Sequence, residues 1–200
     1  MASLYLHIPF CERKCIYCDF YSVENISPME EFLDALEREI AMYAHLGQGV
    51  RFETVFLGGG TPSLLTPDQM ERILDRLRAL YQVDPSAEIT VETNPGTVDE
   101  EKLRAYRALG VNRLSIGIQS FYDDELAFLG RIHDSREAVQ CVDSAKASGF
   151  ENISIDLIYS LPGQTMQRWR RNLERAVSLA PCHISAYSLI VEDRTPLARM

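Results

Sequence analysis

Cys11, Cys15 and Cys18 stand in the spacing C-x-x-x-C-x-x-C, directly after the apolar run Leu4-Tyr5-Leu6-His7-Ile8. Three thiolates on one short loop can hold three irons of a cubane cluster and leave the fourth iron open to a further ligand. The spacing alone admits two other chemistries. A structural zinc site usually takes four protein ligands, and the loop offers no fourth cysteine of its own. A disulfide with one spare thiol would suit a secreted chain, yet Met1 leads straight into the apolar run without the segments of a secretory signal. No apolar stretch approaches membrane-spanning length, so a cytoplasmic location without a transmembrane segment is expected.

Further residues able to do chemistry follow or interrupt short apolar runs. Gly58-Gly59-Gly60-Thr61-Pro62 ends one of them. Without side chains such a backbone can approach a ligand closely and offer its N–H and C=O groups. A tight strand-to-helix turn is the structural alternative, although three glycines followed by Thr-Pro exceed what a turn requires. Glu92-Thr93-Asn94-Pro95 and Gln119-Ser120 end two more runs, and Asp156 sits inside Ile155-Asp156-Leu157-Ile158. Any one of these could simply satisfy a polar neighbour; Glu92, Gln119 and Asp156 together form a convergent set.

The elements that must position these residues alternate along the chain. Strands are expected at Ser3 to Ile8, Thr54 to Leu57, Glu88 to Thr93, Arg113 to Gln119, Asn152 to Ile158 and His183 to Ile190. Helical periodicity joins Met29, Phe32, Leu33, Leu36 and Ile40, and again Met70, Ile73, Leu74 and Leu77. Ser27-Pro28 with Glu30, and Thr66-Pro67 with Gln69, have the form of capping boxes with proline at the first helical position. Further helices are expected over Asp99 to Leu109, Ser135 to Ser148 and Thr165 to Leu179, with Gly110 and Gly149 as C-terminal caps. Strands read as apolar on both faces imply a parallel sheet with right-handed crossovers. About six strands are too few to close an eight-stranded barrel. The expected fold is therefore α/β, a partial open (β/α)6 barrel or a curved doubly wound sheet, with ligands at the C-terminal strand ends.

Composition agrees with one globular domain, since 200 residues that are 46% hydrophobic can bury a sizeable core. A formal net charge of -9 argues against a nonspecific nucleic-acid surface. Cys141 belongs to the apolar face of a helix and reads as a buried thiol, whereas Cys182 stands apart. Among the histidines, His7 and His183 fall on strands, where a core role is expected, and His45 and His133 are placed near the surface.

The motifs resemble a known family. Cys11-Glu12-Arg13-Lys14-Cys15-Ile16-Tyr17-Cys18 resembles the signature of radical S-adenosylmethionine (SAM) proteins, and Gly58 to Pro62 resembles their GGGTP motif. Tyr5 to Cys11, Glu92 to Pro95, Gly117 to Phe121 and Asp156 to Gln164 resemble the oxygen-independent coproporphyrinogen oxidase group, over a span from Tyr5 to about Ile190. The resemblance implies a 4Fe-4S cluster on Cys11, Cys15 and Cys18, its open iron chelated by the amino and carboxylate groups of SAM. It further implies that Gly59, Gly60 and Thr61 line the methionine end and that Glu92 accepts from its ammonium. Gln119 and Arg131 would lie near the carboxylate, Asp156 near the ribose, and Tyr5, Tyr17 and Ile190 around cofactor and adenine. A helix-surface arginine is the structural alternative for Arg131, and no catalytic residue is assigned. In such enzymes one electron from the reduced cluster cleaves SAM to a 5′-deoxyadenosyl radical, and the oxidases use it to turn porphyrinogen propionates into vinyl groups.

The chain departs from the oxidase pattern at Phe20, where a further cysteine would give C-x-x-x-C-x-x-C-x-C. Its C-x-F ending resembles the HemW branch, whose members bind haem and deliver it to respiratory haem proteins. The resemblance therefore implies haem or porphyrin handling, with haem as cargo, and a radical SAM oxidase acting on a porphyrinogen as the alternative; homodimerisation is left open. Ser160 replaces a usual glycine. The branch continues into a C-terminal region bearing an H-N-x-x-Y-W motif, which does not occur before Met200. Residues 1–200 are thus expected to be the radical SAM core, lacking that haem-associated region and the last helix.

Overall fold

The structure is a computed structural model that describes residues 2–200. Six parallel strands form one sheet in the order of the chain: β1 Ala2–Ile8, β2 Arg51–Gly59, β3 Gln82–Thr93, β4 Arg113–Gln119, β5 Asn152–Tyr159 and β6 His183–Ser188. Between them run α1 Met29–Tyr43, α2 Pro67–Leu80, α3 Glu100–Ala108, α4 Asp123–Leu129, α5 Ser135–Ala147 and α6 Met166–Ser178, and a short 3-10 turn, Pro196–Arg199, follows β6. The order never reverses, so the fold is a partial open (β/α)6 barrel. The doubly wound alternative falls because it needs a switch point in strand order.

Side chains alternate across a strand with a period of two, and register turns that alternation into rows. Leu6, Leu57, Val91, Leu114 and Ile153 are neighbours across five strands, all buried beneath the helices. The residue before each, Tyr5, Phe56, Thr90, Arg113 and Asn152, makes a row on the opposite face. Glu92, Ser115, Ser154 and His183 make another. The expectation of strands apolar on both faces is thus corrected. Only the helix-covered face is uniformly apolar, because the alternate positions carry Thr90, Glu92, Arg113, Ser115, Asn152, Ser154 and His183.

The helices cover that apolar face through the stripes read from the sequence: Met29, Leu33, Leu36 and Ile40 in α1, and Met70, Ile73, Leu74 and Leu77 in α2. Thr66 and Gln69 form the expected capping box, with Gln69 N–H donating to Thr66 Oγ1 at 3.2 Å and Thr66 N–H to Gln69 Oε1 at 2.9 Å. The box expected of Ser27 and Glu30 does not form. Pro28 takes the cap position, and Glu30 instead accepts from Gln69 and Arg72 of α2. Gly110 and Gly149 leave their helices at φ of 97° and 85°. Helix α4 was not anticipated, although its acidic first turn and Gly130 at a left-handed C-cap are helix signals.

Candidate functional site

The cysteine loop departs from the end of β1 and is pinned on both sides. Cys11 N–H donates to Val23 O at 2.9 Å, and Val23 N–H to Pro9 O at 2.7 Å, which closes its base. Gly60 N–H donates to Ile8 O at 2.8 Å and Thr61 N–H to Phe10 O at 2.7 Å, carrying β2 alongside the start of the loop. A Cβ on Gly60 would lie 2.6 Å from Phe10 O, so this approach requires glycine. Gly59 N–H donates to Glu92 Oε2 at 2.9 Å. The N–H groups of Gly59, Gly60 and Thr61 are thus all engaged within the protein, by Glu92, Ile8 O and Phe10 O.

Opposite the loop, β4 ends in an irregularity that shifts its register on β5 between Ile116 and Gln119. Gln119 adopts φ 70°, a conformation costly for a residue with a side chain and one that concentrates at functional sites. Ser160 holds φ 61° after β5, a second left-handed residue with a side chain. Behind this end, Ser120 Oγ donates to Glu125, and the Phe121 N–H donates to Asn172 Oδ1 at 2.8 Å. His133, expected at the surface, is only 4% exposed and joins Ile118 O through Nε2 at 3.1 Å. Burial, reinforced by Arg131, pushes its imidazole down to about 4, so the ring is neutral at physiological pH.

These strand ends and the cysteine loop enclose a cleft of about 500 Å³. Its lining includes Cys11, Cys15, Cys18, Tyr17, Gly59, Gly60, Thr61, Glu92, Gln119, Arg131, Asp156 and Ile190. Tyr5 is the expected site residue left out. It is 60% exposed on the concave face, where its hydroxyl donates to His7 Nδ1 at 3.1 Å, and the Nε2–H of His7 in turn donates to Tyr21 O at 2.8 Å. His183 is exposed, correcting its expected core role, whereas Cys141 is buried and its thiol is pushed up to about 12 by burial. Sequence reasoning missed Ser115 and Gly117 as lining residues, although their strand parity with Gln119 marks them.

The electrostatics of the cleft are unbalanced. Glu92 and Asp156 have their carboxyls pushed up, chiefly by burial, with the Gly59 N–H opposing the shift at Glu92 and Ser115 and Ser185 opposing it at Asp156. Ser115 Oγ donates to Asp156 Oδ2 at 3.1 Å. Two desolvated carboxyls beside a cleft are what a cationic ligand would relieve. Arg131 lies on the loop after α4 and reaches Gly117 O at 2.7 Å, Asn94 Oδ1, and Cys15 Sγ at 3.4 Å. A helix-surface role for it is excluded. Its Nε is buried without a partner.

The residues present suit a thiolate-held cluster with an adjoining cofactor. All five cysteines are free thiols. Among the described residues no three Cys, His, Asp or Glu side chains converge as a single metal ion would need, while a cubane spreads its ligands over separate irons. Phe20, 72% exposed at the cleft, supplies no thiolate. Among the described residues no helix is long and apolar enough to cross a membrane.

Comparison with known proteins gives a family and a fold. The model of the radical SAM superfamily matches residues 5–176. The haem chaperone HemW of Bacillus subtilis (strain 168) is 44% identical over 199 residues, covering 98% of this chain and 52% of the relative. HemW of Escherichia coli (strain K12) is 40% identical, covering 96% and 52%. Among solved structures, coproporphyrinogen III oxidase (HemN) from Escherichia coli, described as a radical SAM enzyme, superposes with a TM-score of 0.91 at 33% identity, covering 99% of this chain and 46% of that one. The chain spans about half the length of the relatives it matches.

Proposed function

Because the chain belongs to the radical SAM superfamily, which implies a 4Fe-4S cluster and SAM, we propose that it is the SAM-binding core of a haem-handling protein of the HemW kind. Cys11, Cys15 and Cys18 would hold the cluster. Gly59, Gly60, Thr61, Glu92, Gln119, Arg131, Asp156, Tyr17 and Ile190 would surround SAM, with Tyr5 backing Glu92 from outside the cleft. When bound, the reduced cluster supplies an electron to the SAM sulfonium. Glu92 is the residue to receive the cofactor's ammonium, because a buried carboxylate gains most from a cation. Asp156, aligned by Ser115, is suited to accept from ribose hydroxyls. The walls formed by the cysteine loop and by Tyr187 to Ile190 would limit water in the cleft.

The observation that carries the haem reading is Phe20. An exposed aromatic ring at the cleft, where an oxidase would have a cysteine, offers an apolar surface to a planar macrocycle. Identity to HemW proteins of 40–44% supports the same reading. Haem is then cargo, haem proteins are its recipients, and the cytoplasm is where the exchange takes place. Turnover of a porphyrinogen is the second reading, favoured by the close superposition on HemN.

The test is anaerobic iron and sulfide reconstitution, followed by electron paramagnetic resonance with and without SAM, haem titration and incubation with coproporphyrinogen III. SAM should alter the spectrum of the reduced cluster, haem should bind, and the porphyrinogen should survive. A spectrum indifferent to SAM overturns the cofactor assignment; porphyrinogen consumption moves the function to the second reading.

A further inference from the structure

Asn94 lies at the centre of a hydrogen-bond chain that ends on two of the three cysteine sulfurs. Arg131 donates through Nη2 to Asn94 Oδ1 and through Nη1 to Cys15 Sγ, the latter at 3.4 Å. Asn94 Nδ2 donates to Thr61 Oγ1 at 3.0 Å, and Thr61 Oγ1 donates to Cys11 Sγ at 3.5 Å. The polarity has one solution. A guanidinium is donor only, so the amide must turn its oxygen towards Arg131 and its nitrogen towards Thr61. The Thr61 oxygen then accepts from Asn94, which leaves its proton for Cys11. The amide itself is held in place, because its backbone N–H donates to Ser63 Oγ at 3.2 Å and its backbone carbonyl accepts from Thr97 Oγ1 at 2.7 Å. Gly117 leaves the space: a Cβ there would lie 3.2 Å from Asn94 Oδ1 and 3.4 Å from Arg131 Nη2.

We propose that Asn94 is a positioning residue that locks Thr61 and Arg131 as donors to the Cys11 and Cys15 sulfurs and thereby raises the reduction potential of the cluster they hold. Hydrogen bonds to cluster sulfurs favour the reduced, more negative state, and outer partners of metal ligands orient and tune them. The inference rests on the cluster assignment made above.

The experiment is a redox titration of the reconstituted protein without SAM, read by electron paramagnetic resonance, for the wild type, Asn94→Leu, Thr61→Val and the double variant. Asn94→Leu should lower the reduced-to-oxidised ratio at fixed potential about tenfold, equivalent to about 59 mV for one electron. Thr61→Val should shift it in the same direction by less. The two effects should be non-additive, since Asn94 acts on Cys11 only through Thr61. An unchanged midpoint in a fully loaded Asn94→Leu protein, or strict additivity, overturns the proposal. Should Asn94→Leu fail to fold or load, Thr61→Val alone decides: a lowered midpoint supports the chain and an unchanged one overturns it. Failure of the wild type to take up iron and sulfide defeats the cluster assignment instead, so the two failures are distinguishable.

Discussion

The two faces of the one sheet differ more than any two elements of the molecule. On the helix side, Leu6, Leu57, Val91, Leu114 and Ile153 form an unbroken apolar row. One residue further along each strand, the concave side carries Glu92, Ser115 and Ser154, with desolvated carboxyls at Glu92 and Asp156. The division teaches that stability and ligand binding are written into the same strands at alternate positions. Burial on one face stabilises the fold by about 1.5–3 kcal/mol per large aliphatic side chain, and that margin carries the unfavourable burial of charge on the other.

The sharpest way to break this division is to substitute each face and ask whether the effects cross over. Cys15→Ser should abolish normal cluster loading, measured by iron and sulfide content and by electron paramagnetic resonance, while unfolding of the metal-free protein in urea stays within about 0.5 kcal/mol of wild type. A full cluster in that variant would remove Cys15 from the ligand set. Next in size, Leu57→Ala should cost about 2–5 kcal/mol of unfolding free energy through the cavity it opens. Iron content per folded molecule should not change.

Glu92→Gln should move in opposite directions on the two scales. SAM affinity, measured by calorimetry on the reconstituted protein, should fall roughly 10- to 100-fold with loss of a charge-assisted hydrogen bond. The metal-free protein should become more stable at neutral pH. A carboxyl raised by folding binds its proton more tightly in the folded state, so stability declines as pH rises from the unfolded carboxyl value through the raised folded one. The wild type should show that decline on the alkaline side of the ordinary carboxylate range, and the variant less of it. A variant equally stable and equally able to bind SAM would dissolve the contrast between the faces. The smallest effect belongs to Thr66→Ala, remote from both faces, which should cost about 1 kcal/mol for the lost helix cap and leave SAM binding untouched.

The element order, the cysteine loop and the strand ends were legible because each has a strong local signal: periodicity, glycine runs, and polar residues after apolar ones. The alternation of the faces was harder to read. Gly58, Ser115, Gly117 and Ser154 are small and ambivalent, so the concave positions of β2, β4 and β5 pass for apolar sequence. The surroundings of Arg131 and the burial of His133 were illegible for another reason. Their partners, Gly117 O, Asn94, Cys15 and Ile118 O, lie on other elements, and local sequence carries no record of which loop folds over them. The Ser27 cap failed because Glu30 had better partners across α2 than at its own helix end.

The sequential strand order also has a consequence in time. Each strand pairs only with its neighbours in the chain, so the sheet can grow from either end through contacts of modest sequence separation. The cleft is the exception. Its two walls come from residues 11–20 and 187–192, and they are joined where Leu197 N–H reaches Ile16 O at 3.0 Å and Arg194 reaches Asp19 at 3.1 Å. During synthesis the cysteine loop emerges before five of the six strands, while the wall that shelters it, residues 187–192, follows only after the last of them begins. The thiols are therefore most open to metal, oxidant and one another before that wall is made, and the cleft closes only after all six strands exist.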